Sequence, residues 1–451
     1  ESGTRVRPVR TLITAMALLM GVTVSVPAEA APRPRPAPTA LNLDILGFNE
    51  GEPYRLRGAE AEAVLRDPSV VLFRFQSRDW MQRSTEGSLV PVADVVSRFP
   101  SRSPAELVAV YRVDLDGDKQ HEVLLFAVAD ELTRRHRYAP TVLRLTDRGY
   151  EPHWISDQLP GERHSLVDVR DLNSDGHLEM LLSGEAGHSG YYRFHQLVGR
   201  LGAKSVVLPV KHVDSVHYVD LDRDQSFEIV LRKRVGRRGP ASQWTYVDRL
   251  MRWSGEDFED ADEAFPGYHD LETLPALVSN LIDHYTATAP ILEEKVDAIE
   301  EVRGRVLTTV SRPRGFGKEL VRALGDVQKG RVIVGREALL RLDQQYPYEP
   351  QLLLALARVF AKEEAWKRVL DLSIRTLTVD PRDREAWWWA AVSFVNLEER
   401  SSALASLHLL TLLGPKRADG VAFLQARRGE PGMEGTLQQV IDEAVATFQS
   451  K

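Results

Sequence analysis

Three short stretches share one arrangement of oxygen-bearing side chains: "DLDGDKQHE" at 114–122, "DLNSDGHLE" at 171–179 and "DLDRDQSFE" at 220–228. Each puts an acid or amide at its first, third and fifth positions and a Glu at its ninth. The residues are Asp114, Asp116, Asp118 and Glu122, then Asp171, Asn173, Asp175 and Glu179, then Asp220, Asp222, Asp224 and Glu228. A hard divalent cation such as calcium takes roughly six to eight oxygens at short range, and a tight loop can supply them from alternate residues. The seventh residues, Gln120, His177 and Ser226, would lend backbone carbonyls, and each Glu would return from the next strand to close the shell. Asp and Asn also form turns by bonding the local backbone, which accounts for one loop. Turn chemistry does not require a Glu at the same offset in every copy, and crowded carboxylates without a cation repel one another. Calcium is therefore the expected ligand, with the second loop weakest because Asn173 replaces an acid.

The flanking elements read as strands. Between about residues 105 and 259 the apolar residues alternate or come in short β-branched runs such as "LVAVYRVD", "LEMLL" and "FEIVLR". An EF-hand loop would begin the same way but end in Glu at its twelfth position between helices. Here the twelfth residues are Leu125, Leu182 and Leu231. An Arg followed six residues later by an aromatic recurs downstream of the first and third loops, as Arg144 with Tyr150 and Arg252 with Phe258, and has no clean copy in the middle unit. A loop with Glu at nine between two strands resembles the FG-GAP/VCBS family of repeats found in integrin α-like β-propellers and many secreted bacterial proteins. The resemblance covers residues 101–265 and rests on the loops. It implies β-propeller-like blades whose first two strands are joined by a calcium-binding loop.

From about Leu271 the period changes. Segments such as "LLLALARVFAKEEAWKRVLDLSIRTL" carry apolar residues three and four apart, which is the helical pattern. Pro347, Pro381 and Pro415 stand 34 residues apart. That is the tetratricopeptide period, with Pro ending each second helix. Trp387, Ala391, Phe394, Ala403 and Leu407 fit the alternation of large and small residues. The preceding unit keeps Ala357 and Phe360 but has Ser373 where a large residue is usual, and the earliest keeps Ala323 and Leu339. The stretch resembles tetratricopeptide (TPR) repeats, which implies an α-solenoid that holds a protein partner. In "AWWWAA" Trp387 fills a core position, whereas Trp388 and Trp389 must point elsewhere and leave at least one ring accessible.

Composition narrows the function classes. The net charge of -7 with 27% charged residues gives no sign of a nucleic-acid binder, and the absence of Cys excludes disulfides and thiolate chemistry. "RVRPVR", an uncharged run of 16 and small residues at Ala28 and Ala30 read as a secretory signal, too short to span a bilayer. The histidines are expected mostly in loops, outside metal-ligand patterns. "RKRVGRR" reads as a solvated hairpin, "RPRGFGKEL" lacks phosphate-loop spacing, and no nucleophile elbow is present.

The expected organisation is multidomain, β then α: a signal peptide at 1–30, a Pro-rich linker at 31–40, a mixed segment or partial blade at 41–100, three β-repeats at 101–265, a helical connector at 266–315 and helical repeats at 316–451. The acidic stretch 255–270 reads as solvated. The expected function is that of an exported, non-catalytic calcium and protein binder of the cell envelope, serving adhesion or assembly, with no nucleic acid and no membrane span after signal cleavage. The alternative is an envelope-polymer hydrolase with a cleft at the β-repeats.

Overall fold

The computed structural model describes residues 42–43, 48–49, 54–76, 86–115, 120–133, 137–156, 159, 161–186, 192–198, 213–236, 238–255, 258–306, 316–413, 417–428 and 435–449. The expected signal peptide and Pro-rich linker, together with Asp116, Asp118 and Pro415, lie outside the described residues. The chain divides into two units. One runs to Lys233 and takes in Leu250–Asp260, and the other combines Arg234–Arg249 with the residues from Ala261 onward.

The first unit is β-rich. A ribbon of β1 (Asn42–Leu43) and β2 (Phe48–Asn49) precedes β3 (Tyr54–Arg55), α1 (Gly58–Arg66), β4 (Val71–Phe75) and β5 (Gly87–Pro91). Next come the short helices α2 (Val92–Val96) and α3 (Pro104–Leu107), then β6 (Val108–Val113), β7 (Glu122–Ala127) and α4 (Asp130–Thr133). β8 (Tyr138–Ala139), β9 (Thr141–Thr146) and β10 (Gly149–Ile155) complete two sheets, ordered β10-β9-β7-β6-β3 and β5-β4-β8. A second repeat sheet is the meander β11 (Arg163–Arg170), β12 (Glu179–Ala186) and β13 (Tyr192–Val198). A third is β14 (Val213–Val219), β15 (Glu228–Arg234), β16 (Tyr246–Trp253) and β17 (Phe258–Asp260). No sheet closes on itself among the described residues.

Each repeat sheet has apolar faces because its second strand is apolar on both sides. In β7, Val123, Leu125 and Ala127 join a core with Leu65, Val70 and Leu72, whereas Leu124 and Phe126 face the opposite way. That division follows from the two-residue period of a strand. Leu124 and Phe126 meet Met180 and Leu182 of β12, and Leu181 on the other face of β12 meets Ile229 and Leu231 of β15. The three sheets thus pack face against face in chain order. The segment before residue 101 supplies the core beneath the first sheet.

The second unit is helical apart from its hairpin segment. After α5 (Pro266–Tyr268) and a π-helical turn at His269–Thr273 come α6 (Leu274–Asp283) and α7 (Ala289–Val306). Then follow α8 (Phe316–Gln328), α9 (Val332–Gln345), α10 (Pro350–Lys362), α11 (Trp366–Val379), α12 (Arg384–Asn396) and α13 (Arg400–Leu412), and finally α14 (Arg417–Arg428) and α15 (Thr436–Gln449). Helices α8, α10 and α12 begin at 316, 350 and 384, and α9, α11 and α13 begin at 332, 366 and 400, so both series advance by 34 residues. Short connections with Glu364 and Glu398 at positive φ turn the chain inside two of these pairs.

One expectation needs correction: the acidic stretch is not wholly solvated, since Asp262 and His269 are buried. In the segment expected as a helical connector, Leu277, Leu281, Val296 and Ile299 of α6 and α7 share one core with Leu377 of α11 and Trp387 of α12. Trp387 and Trp388 are both fully buried, and Trp389 is the half-buried one, its Nε1 donating to Glu385 at 3.2 Å.

Candidate functional site

The three acid loops each join two consecutive antiparallel strands of one sheet, β6 to β7, β11 to β12 and β14 to β15. In the second loop Asp171 spends both carboxylate oxygens on its own backbone: Oδ1 accepts from the Asp175 amide at 3.1 Å and Oδ2 from that of Gly176 at 3.0 Å. Asn173 Oδ1 also accepts from the Asp175 amide, at 3.1 Å, and Asp175 Oδ1 from the His177 amide at 2.9 Å. The third loop repeats this, with Asp220 accepting from the amides of Asp224 and Gln225 at 3.1 and 3.2 Å and Asp224 from Ser226 at 2.8 Å. The fourth and sixth positions are left-handed in both, Ser174 and Gly176 in one, Arg223 and Gln225 in the other. Asp114 and Gln120 flank the first loop, at which Asp116 and Asp118 are outside the described residues.

The ninth-position glutamates do something the spacing alone did not suggest. All three are buried, and each turns one oxygen back onto the backbone of the second loop residue. Glu122 Oε2 accepts from the Leu115 amide at 3.0 Å, Glu179 Oε2 from Leu172 at 2.7 Å and Glu228 Oε2 from Leu221 at 2.8 Å. The leucine so held is the joint to the next repeat. The amide of Leu178, eighth in its loop, donates to the Leu115 carbonyl at 3.4 Å, and that of Phe227, also eighth, to the Leu172 carbonyl at 2.7 Å. Ser174 Oγ adds a bond to the Gln225 carbonyl at 2.5 Å. Loop, glutamate and leucine therefore form a repeating latch along one rim of the β unit.

The second glutamate oxygen distinguishes the repeats. Glu122 Oε1 accepts from Arg144 Nε and Nη2 at 3.2 and 3.0 Å. Arg252 serves the third repeat, with its Nη2 2.7 Å from Asp222 Oδ2 and 3.2 Å from Asp224 Oδ2, and its Nε 3.9 Å from Glu228 Oε1. The recurring Arg seen in the sequence thus bonds the ninth-position Glu in the first repeat and the loop acids Asp222 and Asp224 in the third. In the middle repeat burial pushes the Glu179 carboxyl up to about 7, opposed by the Leu172 amide and reinforced by the charges of Asp171 and Asp175. Burial also raises Glu228, with Leu221 and Arg252 working against the shift and Asp222 and Asp224 with it.

The third loop fits a hard cation by its donor set. One oxygen from each of Asp220, Asp222 and Asp224 lies within 4.8 Å of the others. Glu228 Oε1 is buried and makes no hydrogen bond, with Arg252 Nε 3.9 Å away. A buried carboxylate oxygen without a hydrogen bond is costly, and a closer cation would relieve it.

Two buried polar clusters in the helical unit escaped sequence reasoning. Lys295 of α7 is fully buried and donates to the Gln243 carbonyl at 2.9 Å, to Thr245 Oγ1 at 3.1 Å and to Asn280 Oδ1. Burial lowers its ammonium to about 8, against the charges of Glu294 and Asp283. Asp262 is bound by Arg249 at 2.8 Å, by Arg305 and by His269 Nε2 at 3.0 Å, while His269 Nδ1 lies 3.1 Å from Thr273 Oγ1. This Thr-His-Asp line has all three members buried, so it serves the interior rather than a substrate. The helical spacing of Lys295 among apolar residues was the one available signal. The histidines also differ from the loop placement expected of them, since His153, His164, His195 and His217 stand on strands, with His164 and His195 buried.

No protein-family model matches the chain, and no curated protein matches it. Among solved structures it is similar to one described as MamA MSR-1 C2, at 17% identity over 39% of this chain and 97% of that chain, with a TM-score of 0.22. A score at that level supports no argument about fold or function. Among the described residues no helix is long and apolar enough to cross a membrane.

Proposed function

We propose that the chain is an exported, non-catalytic binding protein of the cell envelope, in which FG-GAP-type β-repeats take calcium and tetratricopeptide-like helices hold a protein partner. The observation that carries the calcium half is the convergence of one oxygen each from Asp220, Asp222 and Asp224 at the third loop, with Glu228 Oε1 buried and making no hydrogen bond at the base of the same loop. A cation held there would neutralise the crowded acids and stiffen the rim on which the loops are latched. The partner half rests on the 34-residue advance of the paired helices, since stacked helical hairpins build extended binding surfaces.

Thermal unfolding of the chain with calcium and with a chelator tests the reading, because a ligand bound only by the folded form must stabilise it. Calcium should raise the midpoint, and Asp222→Asn with Asp224→Asn should shrink the rise while sparing the Glu228 bond to Leu221. An equal midpoint with calcium and with chelator would make the acids turn formers alone.

A further inference from the structure

The guanidinium of Arg252 stands where the third loop would hold its metal. It reaches two of the three acids of the loop and the ninth-position Glu, all through side-chain oxygens. We infer that Arg252 is the built-in counter-cation of the third loop, keeping it folded without metal and yielding its place when a divalent cation binds. The inference rests on the calcium reading above.

Three features support it. Arg252 occupies Asp222 Oδ2 and Asp224 Oδ2, so a cation could not take those oxygens without rearrangement. The arginine also borders solvent, its side chain being 41% exposed. Finally, the contact is imperfect: Glu228 Oε1 is 3.9 Å from Nε and makes no hydrogen bond. A planar fork cannot satisfy carboxylates arriving from several directions, whereas a spherical ion of higher charge can. The tethered cation should therefore hold the site weakly enough to be displaced, and the full acid count of this loop should overstate its affinity for metal.

Calcium titration by calorimetry on the full chain, with unfolding midpoints measured in chelator and in calcium, decides the matter. Arg252→Gln should bind calcium at the third loop at least tenfold more tightly than the parent, and Asp220→Ala in the same background should abolish the gain. In chelator Arg252→Gln should melt below the parent, and saturating calcium should close the gap. Arg252→Lys, which keeps the charge, should stay near the parent in chelator and guards against a simple folding defect. If parent and Arg252→Gln bind calcium equally, the displacement is wrong while the calcium reading stands. Absence of calcium binding and of any calcium effect on melting in every variant overturns both.

Discussion

Glu122 and Arg144 meet across β7 and β9, with Oε1 of the carboxylate 3.0 Å from Nη2 of the guanidinium, while Oε2 of the same Glu holds the Leu115 amide. One buried side chain thus ties a loop to its own sheet and fixes the leucine on which the next sheet rests. Glu179 makes the same backbone bond with two neighbouring acids as the chief charges acting on it.

This contrast predicts opposite tolerance to one substitution. Glu122→Gln should cost about 2 kcal/mol in chelator, because Arg144 loses the charge it pairs with. Glu179→Gln keeps an acceptor for the Leu172 amide and removes a repelled, buried charge, so it should be neutral or stabilising at pH 7.5. Chemical denaturation of both variants in chelator checks the pair, and equal losses would contradict it.

The sixth loop position predicts a second reciprocal pair. Gln225 is held at a φ of 74°, where glycine is favoured, and Gly176 occupies the same place in the second loop at 86°. Gln225→Gly should therefore stabilise by about 0.5–1 kcal/mol, the relief of strain exceeding the added freedom of the unfolded chain. Gly176→Ala should lose about 1 kcal/mol, through conformation alone, because its new Cβ would meet no atom within 4 Å.

Lys295 predicts an alkaline gain in stability. Its folded pKa of about 8 lies below the ordinary 10.5, so between those values the unfolded chain carries more protons than the folded one. Stability from this group then rises with pH across that window and is absent below it. Lys295→Met removes the titration, so the difference in unfolding free energy between parent and variant should grow by on the order of 2 kcal/mol from pH 7.5 to 10.5. A difference that stays constant with pH would show that the lysine titrates normally.

Trp387 predicts a large local cost. It is fully buried in α12, and its Nε1 donates to the Pro381 carbonyl at 2.9 Å, joining the helix to the turn before it. Trp387→Ala should lose about 3–5 kcal/mol and Trp387→Phe less, as read by helical circular dichroism on thermal unfolding.

The parts of the molecule that repeat were readable from sequence, and the parts that close contacts between distant segments were not. Asp114, Asp171 and Asp220 marked the three strand-joining loops, and Pro347 and Pro381 marked the helical period, because turn chemistry and helix endings are local. The role of the glutamates was hidden. Spacing places Glu122, Glu179 and Glu228 beside the acids, but only the folded register shows each bonded to a leucine amide. Arg144 and Arg252 were visible as a recurring landmark without a reason, and the reason is the acids they meet across the sheet, Glu122 for the one and Asp222 with Asp224 for the other. Asp262 was misread for a similar cause. It lies in an acidic run that looks solvated, yet Arg249 and Arg305, distant on both sides in sequence, converge on it. Lys295 likewise finds two of its acceptors on a segment some fifty residues earlier.

The assignment of Arg234–Arg249 to the helical unit bears on how such a chain can be inherited. The path passes from one unit to the other at 233/234, 249/250 and 260/261, so no single cut separates them. A genetic crossover at 260/261, where the composition turns from β to α, would deliver the helices without Gln243, Thr245 and Arg249. Lys295 would keep Asn280 alone of its three acceptors, and Asp262 would lose one of its two arginines. Shuffling the helices onto another protein would therefore have to carry the hairpin with them.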